Sequence, residues 1–372
     1  MPIYMDRHDL PGVTAKDVAK AHKQDLKIQD KYDCRALTYW FDEERQNAFC
    51  LIEAPNKDAV KAMHESAHGL IPNQIIEVNS KVVESFLGRI ADPEVANKDE
   101  SLILNEPAFR VILASNLSYA GNIHSEAEID KVLKSQRIYN DIIRQILLKF
   151  DGRESEHSTD GILCSFISVP QAVMCALEMH RKSIAYNSSV GAKVNIQIGI
   201  SAGSPITESN EFFGQTIQMA KHLCYLSTGN RIILSNIVAE YCKKDRLNLP
   251  DNVDYIRFLD RLEEQFINHL LQILDKTWKM EGFSLQGLAK EMGVSKSRLY
   301  RKVIALTGLS PNDFVKEFKL YKTLKRIEEQ KSSISEIAYE AGFSSPSYFS
   351  KCFKNHYGIL PSLYSNYVHR PQ

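Results

Sequence analysis

One stretch near the end of this 372-residue chain is written twice. The first copy is S-L-Q-G-L-A-K-E-M-G-V-S-K-S-R-L-Y-R-K-V from Ser284, and the second is S-I-S-E-I-A-Y-E-A-G-F-S-S-P-S-Y-F-S-K-C-F from Ser333. Ser284, Ala289, Glu291 and Gly293 recur 49 positions later as Ser333, Ala338, Glu340 and Gly342. One extra residue then enters the second copy. From there Leu299, Arg301, Val303, Gly308 and Pro311 recur 50 positions later as Phe349, Lys351, Phe353, Gly358 and Pro361. A unit kept in order and residue type is one structural module used twice.

Each copy reads as helix, tight turn, helix. Leu285, Leu288 and Ala289 give the first helix an apolar face, and Gly293 stops it by supplying the left-handed backbone of a tight turn. Ser295 is placed to cap the next helix. In that helix Leu299, Val303 and Leu306 recur at i, i+4 and i+7, so they pack inward. Lys296, Ser297, Tyr300 and Arg301 then point away from the core. The second copy turns Phe349 and Phe353 inward and leaves Pro346, Ser347, Tyr348, Ser350 and Lys351 outside. Pro346 suits a first helical turn, where a missing N–H is no loss.

Over about residues 262–368, including G-L-S-P at 308–311 and F-K-N-H-Y-G-I-L-P at 353–361, the chain resembles the AraC/XylS family of bacterial transcription regulators. The resemblance implies an all-α domain with two helix-turn-helix units. A long helix joins them, about Pro311–Gln330 here, with Phe314, Phe318, Tyr321 and Leu324 along one side. It also implies that the two recognition helices enter successive major-groove segments of double-stranded DNA, about 34 Å apart. Lys296, Ser297, Tyr300, Arg301, Pro346, Ser347, Tyr348, Ser350 and Lys351 are the expected DNA-facing residues. Arg holds guanine in a bidentate geometry, whereas Lys more often meets phosphate.

Charge agrees with that expectation. Residues 261–372 hold 17 Lys and Arg against 11 Asp and Glu, while the whole chain is neutral, so residues 1–260 are acidic by the same margin. A basic end on an acidic remainder suits phosphate binding at one end. There is no apolar run long enough to span a membrane and no export signal in MPIYMDRHDL. The seven cysteines are scattered and form no CxxC pair. They read as reduced thiols of a cytoplasmic protein.

The length supports several domains. Residues 79–107 and 243–260 mix charge, Pro and short apolar clusters and read as linkers. They separate an N-terminal domain at 1–78, a middle domain at 108–242 and the DNA-binding part at 261–372.

Residues 1–78 read as βαββαβ: strands at Ile3–Arg7, Ala36–Phe41, Ala48–Ala54 and Gln74–Val78, with helices from Thr14 to about Tyr32 and at Lys57–His68. That order predicts a ferredoxin-like α+β sandwich. His64 and His68 lie at i and i+4 and share a helix face; His8 follows the first strand and His22 lies on the first helix. Imidazole suits nickel, zinc and copper. The segment also spells the zinc-protease string H-E-x-x-H, but the domain is too small for a peptide cleft and its helix ends at Gly69. Through Y-W-F-D-E-E at 39–44, F-C-L-I-E-A-P at 49–55 and H-E-S-A-H-G-L-I-P-N-Q-I-I-E-V at 64–78, it resembles a small family linked to nickel binding. The resemblance implies a site for nickel or another divalent transition metal, using some of His8, His22, His64 and His68, shared across a homodimer.

The middle domain again alternates strand and helix. Its segments H-S-T-D-G-I-L-C-S-F at 157–166, V-N-I-Q-I-G-I-S-A-G at 194–203, F-F-G-Q-T-I-Q-M-A-K-H at 212–222 and G-N-R-I-I-L-S at 229–235 resemble the class III nucleotide cyclase domain. The resemblance implies an α/β cyclase-like fold. It puts Asp160 at the second metal aspartate, Asn116 at the first, and Gln218 and His222 at the transition-state asparagine and arginine. A neutral first ligand and no arginine remove the charge that phosphoryl transfer needs, so the domain reads as degenerate and not as an enzyme.

The chain as a whole reads as a sequence-specific transcription regulator controlled by a metal or small-molecule effector. Two other readings are a nucleotide cyclase-type enzyme with a DNA-binding tail, and a metal-binding protein with such a tail.

Overall fold

The computed structural model describes residues 1–93, 103–119, 126–157, 161–190, 194–207, 209–227, 229–247, 255–279, 283–329 and 331–369. Short, largely buried runs build the first sheet, both of whose faces are covered. Strands β1 (Ile3–Asp9), β2 (Arg35–Asp42), β3 (Asn47–Glu53) and β4 (Gln74–Val78) pair in the order β2-β3-β1-β4. β1 is antiparallel to both β3 and β4. Helices α1 (Ala15–Ile28) and α2 (Lys57–Ala67) cover one face. There Val18, Tyr39, Phe41, Ile52, Val60 and Met63 form a core.

The other face of this sheet is not left to solvent. Met5, Trp40, Phe49, Leu51 and Ile76 form a second apolar layer with residues of the middle domain, including Ile112, Leu163, Phe213 and Ala220. The stretch 79–107, read from the sequence as a linker, departs from that reading. It holds helix α3 (Ser80–Leu87), which Asn79 caps through Lys81 N–H at 3.0 Å. Val83, Phe86 and Leu87 are buried in the same layer. The short apolar clusters that break up the sequence pattern are the parts that fill this seam.

The middle sheet has six strands in the order β10-β9-β8-β5-β7-β6. These are β5 (Arg110–Tyr119), β6 (Arg153–His157), β7 (Gly161–Phe166), β8 (Val194–Gly203), β9 (Ile232–Leu234) and β10 (Ile256–Phe258). β5 pairs antiparallel with β7 and β8, while β9 runs parallel to β8 and β10. Helices α4 (Glu126–Lys149), α5 (Val169–Val190) and α7 (Asn236–Lys244) belong to the core on one side. Helix α6 (Gly214–Leu226) lies on β8 and β5. The second expected linker, 243–260, also departs from the reading: its described part contributes β10, which extends the sheet in parallel with β9.

The C-terminal part is all helical: α8 (Arg261–Thr277), α9 (Leu285–Glu291), α10 (Lys296–Thr307), α11 (Pro311–Glu328), α12 (Ile334–Glu340), α13 (Pro346–Tyr357) and α14 (Pro361–Val368). The duplication is visible atom by atom. Ser284, Ser295, Ser333 and Ser345 each accept a backbone N–H three residues on, at 3.1 to 3.2 Å. Gly293 and Gly342 sit at the two turns with φ of +64° and +71°. Leu299, Val303, Phe349 and Phe353 are almost fully buried, each contributing about 1.5–3 kcal/mol. The joining helix α11 departs from the one-sided pattern expected of it. Beside Phe314 and Phe318 it buries Val315, Leu320, Thr323 and Ile327, because it runs between the two units and is covered from both sides.

Candidate metal centre and nucleic-acid interface

Strand periodicity puts Asp6 and His8 of β1 on the same face, under α1 and α2, and Cys50 of β3 beside them. His64 comes down from α2 into this pocket. Asp6, His8, Cys50 and His64 each offer a ligand atom within 4.8 Å of the others, and so do Asp25, His64 and His68. The two sets share His64, and His8, Asp25, Cys50, His64 and His68 line one cavity.

The hydrogen bonding is organised around His64. Its Nε2 lies 2.8 Å from Asp6 Oδ2 and its Nδ1 3.1 Å from Asp25 Oδ1. Nδ1 also lies 3.1 Å from His68 Nε2, and a carboxylate at each ring nitrogen favours the protonated ring. Burial alone would lower its pKa, but the carboxylates of Asp6 and Asp25 outweigh burial and push it up to about 10. Burial would raise the Asp6 pKa, yet His8 and His64 hold it well below the usual carboxylate range. Asp25 is likewise lowered against its burial by hydrogen bonds from His64 and His68. The Cys50 thiol is pushed far up, by burial first and then by Asp6 and Asp25.

Of the four histidines expected from the sequence, the structure brings three into these sets. His68 Nδ1 accepts from Leu70 N–H at 3.1 Å, so its Nε2 turns to Asp25 at 3.2 Å. His22 lines the cavity but belongs to neither set, because its Nε2 is taken by Asp92 at 2.8 Å. Asp6, Asp25 and Cys50 were not among the expected ligands. A D-x-H alternation on β1 and a H-x-x-D spacing on α1 carry two of them in the sequence; nothing local marks Cys50.

These residues fit a divalent transition metal. His8 Nε2 approaches Asp6 Oδ1 to 3.3 Å but is not aligned to bond it, leaving a buried ring nitrogen without a hydrogen-bond partner. An imidazole, a thiol and carboxylates together form the borderline donor set preferred by nickel, zinc and copper. Holding such an ion requires protons to leave His64 and Cys50.

At the other end of the chain, Lys296, Ser297, Tyr300 and Arg301 of α10 are exposed, as are Ser347, Tyr348 and Lys351 of α13; Pro346 and Ser350 are half-buried. Tyr300 and Tyr348 are 47% and 48% exposed. Both sets therefore lie on the outer sides of equivalent helices, each anchored by its apolar face.

In the middle domain, Asn116 is half-buried on β5 and Gln218 half-buried on α6. Asp160 lies outside the described residues. His222 is buried, and its Nε2 sits 3.3 Å from Asp275 Oδ2 of α8. The side chain at the expected arginine position is thus turned to the helical domain.

Residues 4–78 match the family described as nickel responsive protein SCO4226-like, and residues 288–367 match a helix-turn-helix domain family. A histidine kinase P4 of Formosa agariphila is 35% identical over 108 residues, 29% of this chain and 8% of that protein. The transcriptional regulator MtrA of Neisseria gonorrhoeae is 26% identical over 134 residues, 36% of this chain and 42% of that protein. The chain therefore spans less than half the length of either curated relative. A solved adenylate/guanylate cyclase/hydrolase from Silicibacter pomeroyi is 26% identical, with a TM-score of 0.33, over 38% of this chain and 83% of its own. Among the described residues, no helix is long and apolar enough to cross a membrane. The C-terminal part is thus similar to a helix-turn-helix domain family, and the N-terminal part to the family described as nickel responsive protein SCO4226-like.

Proposed function

We propose that the chain is a sequence-specific DNA-binding transcription regulator whose N-terminal domain senses a divalent transition metal, nickel being the first candidate. One observation carries the reading: a duplicated, capped helix-turn-helix with two exposed polar faces shares a chain with a buried His, Cys and carboxylate cluster. Lys296, Ser297, Tyr300 and Arg301 would meet one major-groove segment, and Pro346, Ser347, Tyr348, Ser350 and Lys351 the next. His8, Cys50 and His64, with Asp6, would hold the ion, which supplies a fixed positive charge to the buried carboxylates.

The finer fold readings belong to the same proposal. A βαββαβ unit with strand order β2-β3-β1-β4 supports a ferredoxin-like N-terminal domain. The domain limits of 1–78, 108–242 and 261–372 remain as proposed, with α3 and β10 added to the segments between them. We assign no cyclase chemistry to the middle domain, because Asn116 carries no charge and His222 is engaged by Asp275. A homodimer is part of the proposal, and sedimentation with and without nickel tests it.

The deciding experiment measures DNA affinity of the full-length protein on a site selected from random sequence, with nickel and with chelator. A shift of tenfold or more, lost in a His8→Ala/His64→Ala variant, supports metal-controlled DNA binding. Equal affinity in both conditions removes nickel as the effector, and failure to bind any selected site removes the regulator reading.

A further inference from the structure

The buried cluster and the DNA-binding domain are far apart in sequence, yet one helix lies between the layers that serve them. The path begins in the first sheet, where successive side chains point to opposite faces. On β1, Asp6 and His8 face the cluster, whereas Met5 lies in the apolar layer shared with the middle domain and Arg7 reaches the Ile206 carbonyl at 3.4 Å. On β3, Cys50 faces the cluster while Phe49 and Leu51 enter that layer. Candidate ligands and middle-domain contacts are thus opposite sides of the same two strands.

Helix α6 closes the layer with Ala220 and Cys224. It is tightly seated: a Cβ at Gly199 of β8 would fall 2.1 Å from Cys224 N and 2.3 Å from Ala220 O, so a shift of the strand there cannot be absorbed by side chains. The outer side of the same helix belongs to the DNA-binding domain. Met219, Leu223 and Leu226 lie in its core cluster. The Tyr225 ring lies 5.6, 5.6 and 5.2 Å from the rings of Phe314, Phe318 and Tyr321, all on α11. His222 bonds Asp275 of α8, and Asp275 in turn pairs with Lys322 of α11. What α6 grips is therefore the helix that sets the relation between the two recognition helices.

The grip is not optimised as a permanent core. His222 Nδ1 is buried without a hydrogen-bond partner, a cost that the docked arrangement carries and that hydration would relieve on release. We propose that the outer face of α6, at His222 and Tyr225, is a reversible dock for the DNA-binding domain and couples the N-terminal cluster to DNA recognition. The choice of metal as effector rests on the function proposed above; the dock itself does not. Its physical demand is that effector and DNA favour different positions of one two-state element.

The test uses full-length wild type, Tyr225→Ala, and the milder Asp275→Asn, which removes the charge that holds His222 and Lys322. DNA affinity is measured on the selected site with nickel and with chelator, and nickel affinity by calorimetry. If wild type responds to nickel, the dock predicts that both variants retain nickel affinity within about threefold while their DNA response falls below twofold. An undiminished response in both variants overturns it. If wild type does not respond, the metal reading fails by itself. The dock then stands if the variants differ from wild type at least fivefold in DNA affinity in chelator, and falls if they do not.

Discussion

The imidazole of His64 donates from Nε2 to Asp6 Oδ2 at 2.8 Å, and both side chains are removed from water. A buried ion pair of this kind is an expensive arrangement unless every charge is matched. Here one imidazolium faces two carboxylates, Asp6 and Asp25, and His8 and His68 stand at the edges. Asp6 and Asp25 thus meet at one buried ring, where a bound cation could take the place of its proton.

Removing half of the pair leaves the other half stranded. Asp6→Asn keeps the shape but deprives His64 of its Nε2 partner, and should destabilise the metal-free protein by about 3 kcal/mol. Urea unfolding with chelator measures this. A change under 1 kcal/mol would mean that the cluster is open to water.

The same pair sets a pH dependence. The His64 pKa is raised from 6.5 to about 10, so its contribution is complete below 6.5 and is lost as pH rises towards 10. Asp6 is depressed below 3.8, so its contribution is complete above that value and is lost as pH falls through the folded pKa. Stability from the pair is greatest between about 4 and 6.5. The urea midpoint in chelator should fall between pH 7 and 10, and His64→Gln should flatten that fall; parallel profiles would refute the assignment.

Nickel affinity should rise with pH, because His64 and Cys50 must lose protons to ligate. Calorimetry in two buffers of different ionisation enthalpy should show proton release. His8→Ala and Cys50→Ser should each weaken binding tenfold or more, and His22→Ala by much less, since His22 is committed to Asp92. Equal losses in all three variants would show that His22 also ligates.

Arg301 and Lys351 are exposed, so their removal should leave the domain folded. If Arg301 reads a base, Arg301→Ala costs about 1–3 kcal/mol and relaxes preference at one position of the site. Lys351→Ala should weaken all sequences alike and reduce the salt slope by about one. Unchanged binding in both variants would reject the docking of these helices.

A methyl group at Gly199 has nowhere to go, since the atoms it meets are backbone. Gly199→Ala should destabilise the protein by about 3 kcal/mol by lifting α6 from β8. Thermal unfolding of the full chain checks this, and a wild-type midpoint would mean that α6 is loosely held.

Much of this protein was legible in local pattern. The repeat offsets, the serine caps and the turn glycines fix the two helix-turn-helix units from within about 20 residues each, because helix starts and stops depend on neighbours in sequence. Short apolar runs around a polar turn likewise marked β2 and β3, and the i, i+4 spacing marked His64 and His68. The pattern left α3 and β10 unmarked within 79–107 and 243–260 for the complementary reason. α3 and β10 are short, and what stabilises them is the surface they fill.

The sequence by itself determined the modules: a duplicated helix-turn-helix at one end, specified by the helical period of 3.6, and a histidine-bearing sheet at the other, specified by short apolar runs between polar turns. Only the tertiary structure decided which histidines meet, that Asp6, Asp25 and Cys50 join them, and that His22 is claimed by Asp92. It also decided that the opposite side of β1 and β3 packs against the domain whose α6 holds Tyr225 to α11. Those relations join residues tens to hundreds of positions apart, and burial and charge pairing across such distances leave no periodic trace along the chain.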